Sequence, residues 1–138
     1  MSIGSGTGGL ASLSAALESR DLSQPVGMLN LLKFRDQANY PVDSGEPPRS
    51  GREAYRVYAG LTFPMIGALG ARPMLSQMAW LIGDADEWDM AFVVHYKRAS
   101  DILEMLGKPE YLAIAYHRDA ALADSRLLMM EFNETLDI

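Results

Sequence analysis

The segment Gly27-Met28-Leu29-Asn30-Leu31-Leu32-Lys33-Phe34 reads as a β-strand, and it is apolar on both sides. In an extended chain successive side chains point to opposite faces. Met28, Asn30, Leu32 and Phe34 therefore share one face, while Leu29 and Leu31 occupy the other. Two later segments repeat the pattern: Ala91-Phe92-Val93-Val94 in a strand over 88–96, and Leu127-Leu128-Met129-Met130 in a strand over 126–132. A sheet with one wet face would alternate apolar and polar residues. These strands do not, so both faces of the sheet call for cover.

Outward from the first strand, the polar, proline-rich stretch over 36–49 closes it. Ser50-Gly51-Arg52-Glu53 then forms a capping box: the serine accepts from a first-turn N–H and the glutamate reaches back. The helix that follows places Tyr55, Tyr58, Thr62, Met65 and Leu69 on one face. Pro64 lies inside that pattern and removes a backbone donor, which predicts a kink or a break, and Gly70 is placed to end the helix. A second strand is predicted over 72–83, joined by the acidic loop 84–87 to the third in a hairpin. Ser100 opens a brief helix that Gly107 stops. Pro109 starts a longer one to about 123, its missing donor costing nothing in a first turn. The order is β-α-β-β-α-β, the ferredoxin-like motif. It is an α+β fold with a four-stranded antiparallel sheet and both helices on one face. The cheapest cover for the other face is a second copy in a two-fold homodimer. A short helix over 10–18, with Leu10, Leu13 and Leu17 in phase, is an alternative partial cover.

Composition narrows the function classes. The 138 residues suit one domain. They divide into a lead-in over 1–25, the ferredoxin-like domain over 26–133 and a tail over 134–138. Hydrophobic residues at 49% and charged residues at 22% exclude a mainly disordered chain. The absence of cysteine excludes a disulfide framework, a thiolate zinc site and a cysteine nucleophile. Twelve basic against 18 acidic residues, a net charge of −6, argue against nucleic-acid and anionic-membrane partners. The first strand-free residues lack the basic start of a signal peptide, and the uncharged run over 57–71 is too short and too punctuated to span a bilayer. A cytoplasmic location is expected.

Motifs that tempt a specific chemistry fail on context. Gly4-Ser5-Gly6-Thr7-Gly8-Gly9 follows no strand and precedes no lysine, unlike a phosphate loop. Asp84, Asp86, Glu87 and Asp89 lack the glycine and the distant glutamate of a calcium loop. With only His95 and His117, a three-histidine metal site is excluded, and no metal or cofactor is expected.

The candidate ligand residues are the polar and aromatic groups that interrupt apolar faces: Asn30, Tyr58, Trp80, His95, Tyr111, Arg118 and Asp119. Asn30 is the odd amide in an apolar strand, bonded to backbone or turned into a cavity. Tyr58 and Trp80, with Tyr55, offer aromatic walls for one space between sheet and helices, or plain core. His95 is either a pocket base or an imidazole bonded within the sheet. In an unbroken helix over 109–123, His117 projects to solvent with Glu110 and Asp124. Asp119 then points inward, and Arg118 falls on the border in phase with Tyr111. Arg118 and Asp119 are an anion clamp and a base or ligand anchor, or else buried charges that satisfy each other.

Several of these stretches resemble a known family. Met28-Leu29-Asn30-Leu31-Leu32-Lys33-Phe34-Arg35, Glu53-Ala54-Tyr55 with Tyr58, and Trp88-Asp89 carry the likeness. So do Pro109-Glu110-Tyr111, His117-Arg118 and Ala121-Leu122. Together they resemble the domain-of-unknown-function 1330 family of the dimeric α+β barrel superfamily, from about residue 26 to 132. The resemblance implies a homodimer whose two sheets pack face to face as a barrel. It implies no settled activity: relatives in the superfamily include cofactor-independent monooxygenases, haem proteins and small-acid isomerases, and a fold does not select among them. The chain departs from the family at Tyr96, followed by Lys97-Arg98 where a proline is frequent. The functional expectation is a small-organic-molecule site between sheet and helices, of the cofactor-independent oxygenase or isomerase kind. The alternative is a non-catalytic binding or structural domain.

Overall fold

A computed structural model describes residues 6–18, 20–74 and 78–132. The central strand β1 (Val26–Phe34) pairs antiparallel with β3 (Met90–Tyr96) on one side and β4 (Leu122–Glu131) on the other. The short β2 (Arg72–Met74) adds to the outer edge of β3. The order β2-β3-β1-β4 is the predicted ferredoxin-like sheet, and within the chain it stays open, not closed into a barrel.

Register sorts the two faces. Rows Val94–Met28–Met129, Phe92–Asn30–Leu127 and Met90–Leu32–Ser125 look toward the helices. Rows Val93–Leu29–Leu128 and Ala91–Leu31–Arg126 look away from them. On the helix side lie α1 (Gly6–Glu18), α2 (Gly51–Ala68), α3 (Ser100–Leu106), α4 (Pro109–Leu112) and α5 (Tyr116–Ala121). The first helix starts ahead of the predicted residue 10. It packs beside α5, with Leu17 buried and Leu13 against the core, so it does not shield the opposite sheet face. The Leu10 side chain, residues 1–5 and the tail over 134–138 lie outside the described residues.

Three local expectations need correcting. The helix α2 runs unbroken through Pro64, behind the predicted capping box. Proline costs its helix the bond to the carbonyl four residues back. Here that carbonyl belongs to exposed Gly60, which has open space around it, so water replaces the lost donor. The second strand ends early: residues 78–83 carry no strand, and the chain turns instead. Asp84 accepts from the Asp86 amide at 2.9 Å, and Gly83 takes φ +115° where a Cβ would meet the Trp80 ring at 3.1 Å. The predicted helix over 109–123 is broken. Ile114, His117 and Arg118 each donate to the carbonyl three residues back, at 3.0, 3.2 and 3.0 Å. Three residues per turn in place of 3.6 rotates everything beyond Ala113 relative to an ideal helix. Strand β4 starts at Leu122, ahead of the predicted residue 126, so its pairing with β1 takes Leu122 and Ala123 out of the helix.

Gly51 fixes the start of α2 against the sheet. Its amide donates to the Arg35 carbonyl at 3.0 Å, and the Arg35 amide donates to Ala121 at 2.9 Å. A Cβ at Gly51 would collide with the Arg35 carbonyl and lie 2.6 Å from the Ala121 oxygen. Backbone cannot move aside as a side chain can. Gly51→Ala is therefore expected to destabilise by about 1–3 kcal/mol or more. Gly60→Ala, in open space on the same helix, is expected to stabilise by about 0.5–1 kcal/mol. Urea unfolding of both variants checks the contrast.

Candidate functional site

Between the helix-facing side of the sheet and the helices α1–α5 lies a chamber of about 70 Å³. Its wall is chiefly apolar: Met28, Phe92 and Val94 from the sheet, Ile66 from α2, and Ile102 and Met105 from α3. Asn30, Tyr55, Tyr58, Thr62, Tyr96, Tyr111 and Arg118 add polar atoms to it. An apolar cavity with a few convergent polar groups is the usual form of a small-molecule site.

The aromatic row is built by α2. Tyr55 and Tyr58, three residues apart, lie on one helical face with ring centroids 5.3 Å apart, and Phe34 extends the row at 5.6 Å from Tyr55. Tyr111, brought in by α4, meets Tyr58 edge-on at 6.2 Å, and their hydroxyls hydrogen-bond at 2.8 Å. Thr62 donates back to the Tyr58 carbonyl at 3.0 Å, which satisfies a buried hydroxyl within the helix. Burial raises the pKa of Tyr55, Tyr58, Tyr96 and Tyr111 above the ordinary 10. The Arg118 charge opposes that rise at Tyr55, Tyr58 and Tyr111 but does not overcome it. At neutral pH these rings carry intact O–H groups.

Arg118 is only 7% exposed. Its Nη2 donates to Ser125 Oγ at 3.2 Å, whereas Nη1 is buried with no hydrogen-bond partner among the described residues. Asn30 Nδ2 donates to the Met28 carbonyl at 3.1 Å, which pins the amide beside the wall.

Of the predicted site residues, Asn30, Tyr58, Tyr111 and Arg118 meet at this chamber. Trp80, His95 and Asp119 do not line it. Trp80 sits in the turn after β2. His95 points to the open sheet face, its ring 5.6 Å from that of Phe132. Asp119 is half-buried on α5, rotated off the wall by the break in the helix. Tyr96 and Ser125 were not singled out in the sequence. Tyr96 shares the two-residue phase of Phe92 and Val94 and was legible. Ser125 reaches Arg118 only through the pairing of β4 with Leu32, which no local pattern reveals.

His117 is buried, not solvent-facing, for the same reason: the tightened turns swing it under the 36–49 connection. Its Nδ1 lies 2.7 Å from the Tyr40 hydroxyl, and its Nε2 lies 3.8 Å from Glu46. Arg49 Nη1 donates to Tyr40 at 3.0 Å and to Glu46 at 2.9 Å, and Tyr116 donates to Glu46 at 2.7 Å. Because Tyr40 accepts from Arg49, its own proton is free for a neutral His117 Nδ1. This cluster fastens a connection that reads as plain polar linker in the sequence. Among the described residues no cluster of three or more His, Asp or Glu could hold a metal ion, and no helix is long and apolar enough to cross a membrane.

The fold and the chamber define a class, the ferredoxin-like α+β proteins with a cavity between sheet and helices. The chain belongs to the family of the RPA0582 protein. It is 32% identical to methylated RPA0582 over 89% of this chain and 91% of that one, with a TM-score of 0.78. A second structure of that protein, described as of unknown function from Rhodopseudomonas palustris, gives 31% identity over 90% and 94%, with a TM-score of 0.77. A protein of unknown function from Bacteroides fragilis, described as dimeric with a ferredoxin-like fold, is 14% identical over 78% and 96%, with a TM-score of 0.50. No protein-family model and no curated protein matches the chain, so the resemblance to the domain-of-unknown-function 1330 family gains no support from them.

Burial holds the His117 pKa below its ordinary 6.5, against the pull of Glu46. The Tyr116 and Arg49 hydrogen bonds hold Glu46 below 4.5. A depressed histidine pKa means that the unfolded chain binds the proton more tightly, so its contribution is complete above 6.5 and lost as pH falls through the folded value. Glu46 acts in the same direction at lower pH. The melting temperature is expected to fall in two stages on acidification, and His117→Gln to remove the first while leaving the second. Thermal melts across pH read this directly.

Proposed function

We propose that this chain is a homodimeric binding protein for a small organic molecule held in the chamber between sheet and helices. The observation that carries this is the composition of the wall, where Asn30, the Tyr58–Tyr111 hydroxyl pair and Arg118 turn toward one space that is otherwise apolar. A packing defect has no reason to gather polar groups, since each buried one costs free energy unless satisfied. Turnover of the oxygenase or isomerase kind needs a base in reach of the substrate. Among the described residues the ionisable groups of the wall are tyrosines whose pKa burial raises, together with one arginine, which supports binding over proton abstraction.

The dimer rests on the other face of the sheet. Leu29, Leu31, Ala91, Val93 and Leu128 form a continuous apolar surface with no helix of the described residues over it, and Leu128 is 46% exposed. Contiguous apolar surface of this kind marks an interaction site. A second copy, related by a two-fold axis, presents the same surface and satisfies both at once. The description of the Bacteroides fragilis protein as dimeric supports this reading.

Two measurements test the proposal. Small phenols, quinones and carboxylates are expected to include at least one that raises the melting temperature. Val94→Phe, which fills the chamber from the β3 side at a cost of no more than about 1–3 kcal/mol, is expected to abolish that rise. No response to any of them, with Val94→Phe more stable than the parent chain, would make the chamber a packing void. In sedimentation equilibrium at micromolar concentration the parent is expected to be a dimer and Leu128→Glu a monomer. A monomeric parent would refute the assembly.

A further inference from the structure

We infer that the ligand of the chamber is a short-chain monocarboxylate whose head group pairs with Arg118. This rests on the binding reading above and adds the ligand's charge, size and point of attachment.

The charge follows from hydrogen-bond and ion-pair accounting at Arg118. A guanidinium offers five N–H donors and cannot shed its proton in a protein. This one is only 7% exposed, yet among the described residues its one side-chain hydrogen bond goes to the neutral Ser125 hydroxyl, and Nη1 has no partner there. No ion pair joins Arg118 to a carboxylate among the described residues. A buried charge left in that condition is costly, and proteins avoid it unless something else supplies the counter-charge. Among the described residues Arg118 is the sole cation of the chamber wall, and no acidic residue shares that wall. The missing partner therefore carries one negative charge. A dianion such as a phosphate would leave one of its charges unmatched in an apolar surrounding.

The head group is fixed further by the tyrosines. Tyr58 and Tyr111 have one O–H each, and their mutual bond uses one of them. The second proton has no acceptor among the described residues, so the pair can donate to a ligand oxygen. A carboxylate has two oxygens to receive, one from Nη1 and one from the phenol pair. The tail meets the apolar wall. At about 70 Å³ the chamber is much smaller than the roughly 150 Å³ cavity that accepts benzene, so the tail is a chain of about three to five carbons.

The experiment compares butyrate with butyramide, its neutral isostere, by calorimetry and thermal shift on the intact protein. Butyrate is expected to bind at least tenfold more tightly. Arg118→Met is expected to fold with an unchanged or higher melting temperature, because it removes an unpaired buried charge, and to lose the preference for butyrate. Arg118→Lys, which keeps the charge, is expected to retain that preference in weaker form. Equal binding of amide and acid would overturn the carboxylate assignment and leave the chamber as a neutral-ligand site. Tighter binding of inorganic phosphate than of butyrate would overturn the single-charge argument. Failure of acid and amide alike would overturn the short-chain assignment, and thermal shift with small alcohols and ketones of similar size then decides the chamber reading separately. The acid–amide comparison needs no variant, so misfolding of a mutant cannot obscure the result.

Discussion

An antiparallel sheet has two faces, and in this protein both are apolar while the helices of the described residues cover only one. That imbalance organises the rest of the molecule. On the covered side, helices of different lengths bridge from the sheet ends, and their side chains must fill a space whose shape the sheet twist sets. On the bare side, Leu29, Leu31, Val93 and Leu128 lie in register across three strands, so the surface is continuous. Hydrophobic burial scales with apolar area removed from water, and leaving such a patch exposed forfeits it.

The chamber on the covered side sits where two elements fail to meet. The helix α2 is long and continuous, whereas the segment after Pro109 is broken into short turns. A single long helix there would have packed against α2 along its length. The break instead inserts Tyr111 from one piece and Arg118 from the other, leaving a space between them that the apolar residues of α3 do not fill. The same break carries His117 into the Tyr40–Glu46–Arg49 cluster. One local departure from ideal helix geometry thus supplies both the polar side of the chamber and the anchor for the 36–49 connection. These two networks are adjacent along α5 but distinct: His117 looks outward from the chamber to the connection, and Arg118 looks inward.

Much of the architecture could be read from local chemistry. The apolar runs of β1 and β3, the Ser50–Glu53 capping box and the stop at Gly107 each act over a few residues, and each is present as predicted. Where local chemistry pointed the wrong way, longer-range terms overrode it. Pro64 predicts a kink or a break in α2, but its lost bond falls on the solvent side, open to water, and the helix runs on without a break. Leu122 and Ala123 continue the helical pattern, but pairing with β1 takes them into β4.

The sequence by itself determined the order of the strands and helices, the two-sided greasiness of the sheet and the identity of Asn30, Tyr58, Tyr111 and Arg118 as groups out of keeping with their surroundings. Those are properties of spacing and residue type, which survive whatever the helices do. Tertiary structure alone decided which of the suspect side chains share a space. It put His95 on the opposite face, turned Asp119 off the wall and set Ser125 beside Arg118. The physical reason is angular. A residue's direction on a helix depends on every turn before it, so one run of tightened hydrogen bonds at 111–118 redirects all that follows, and no composition or period within that run announces it.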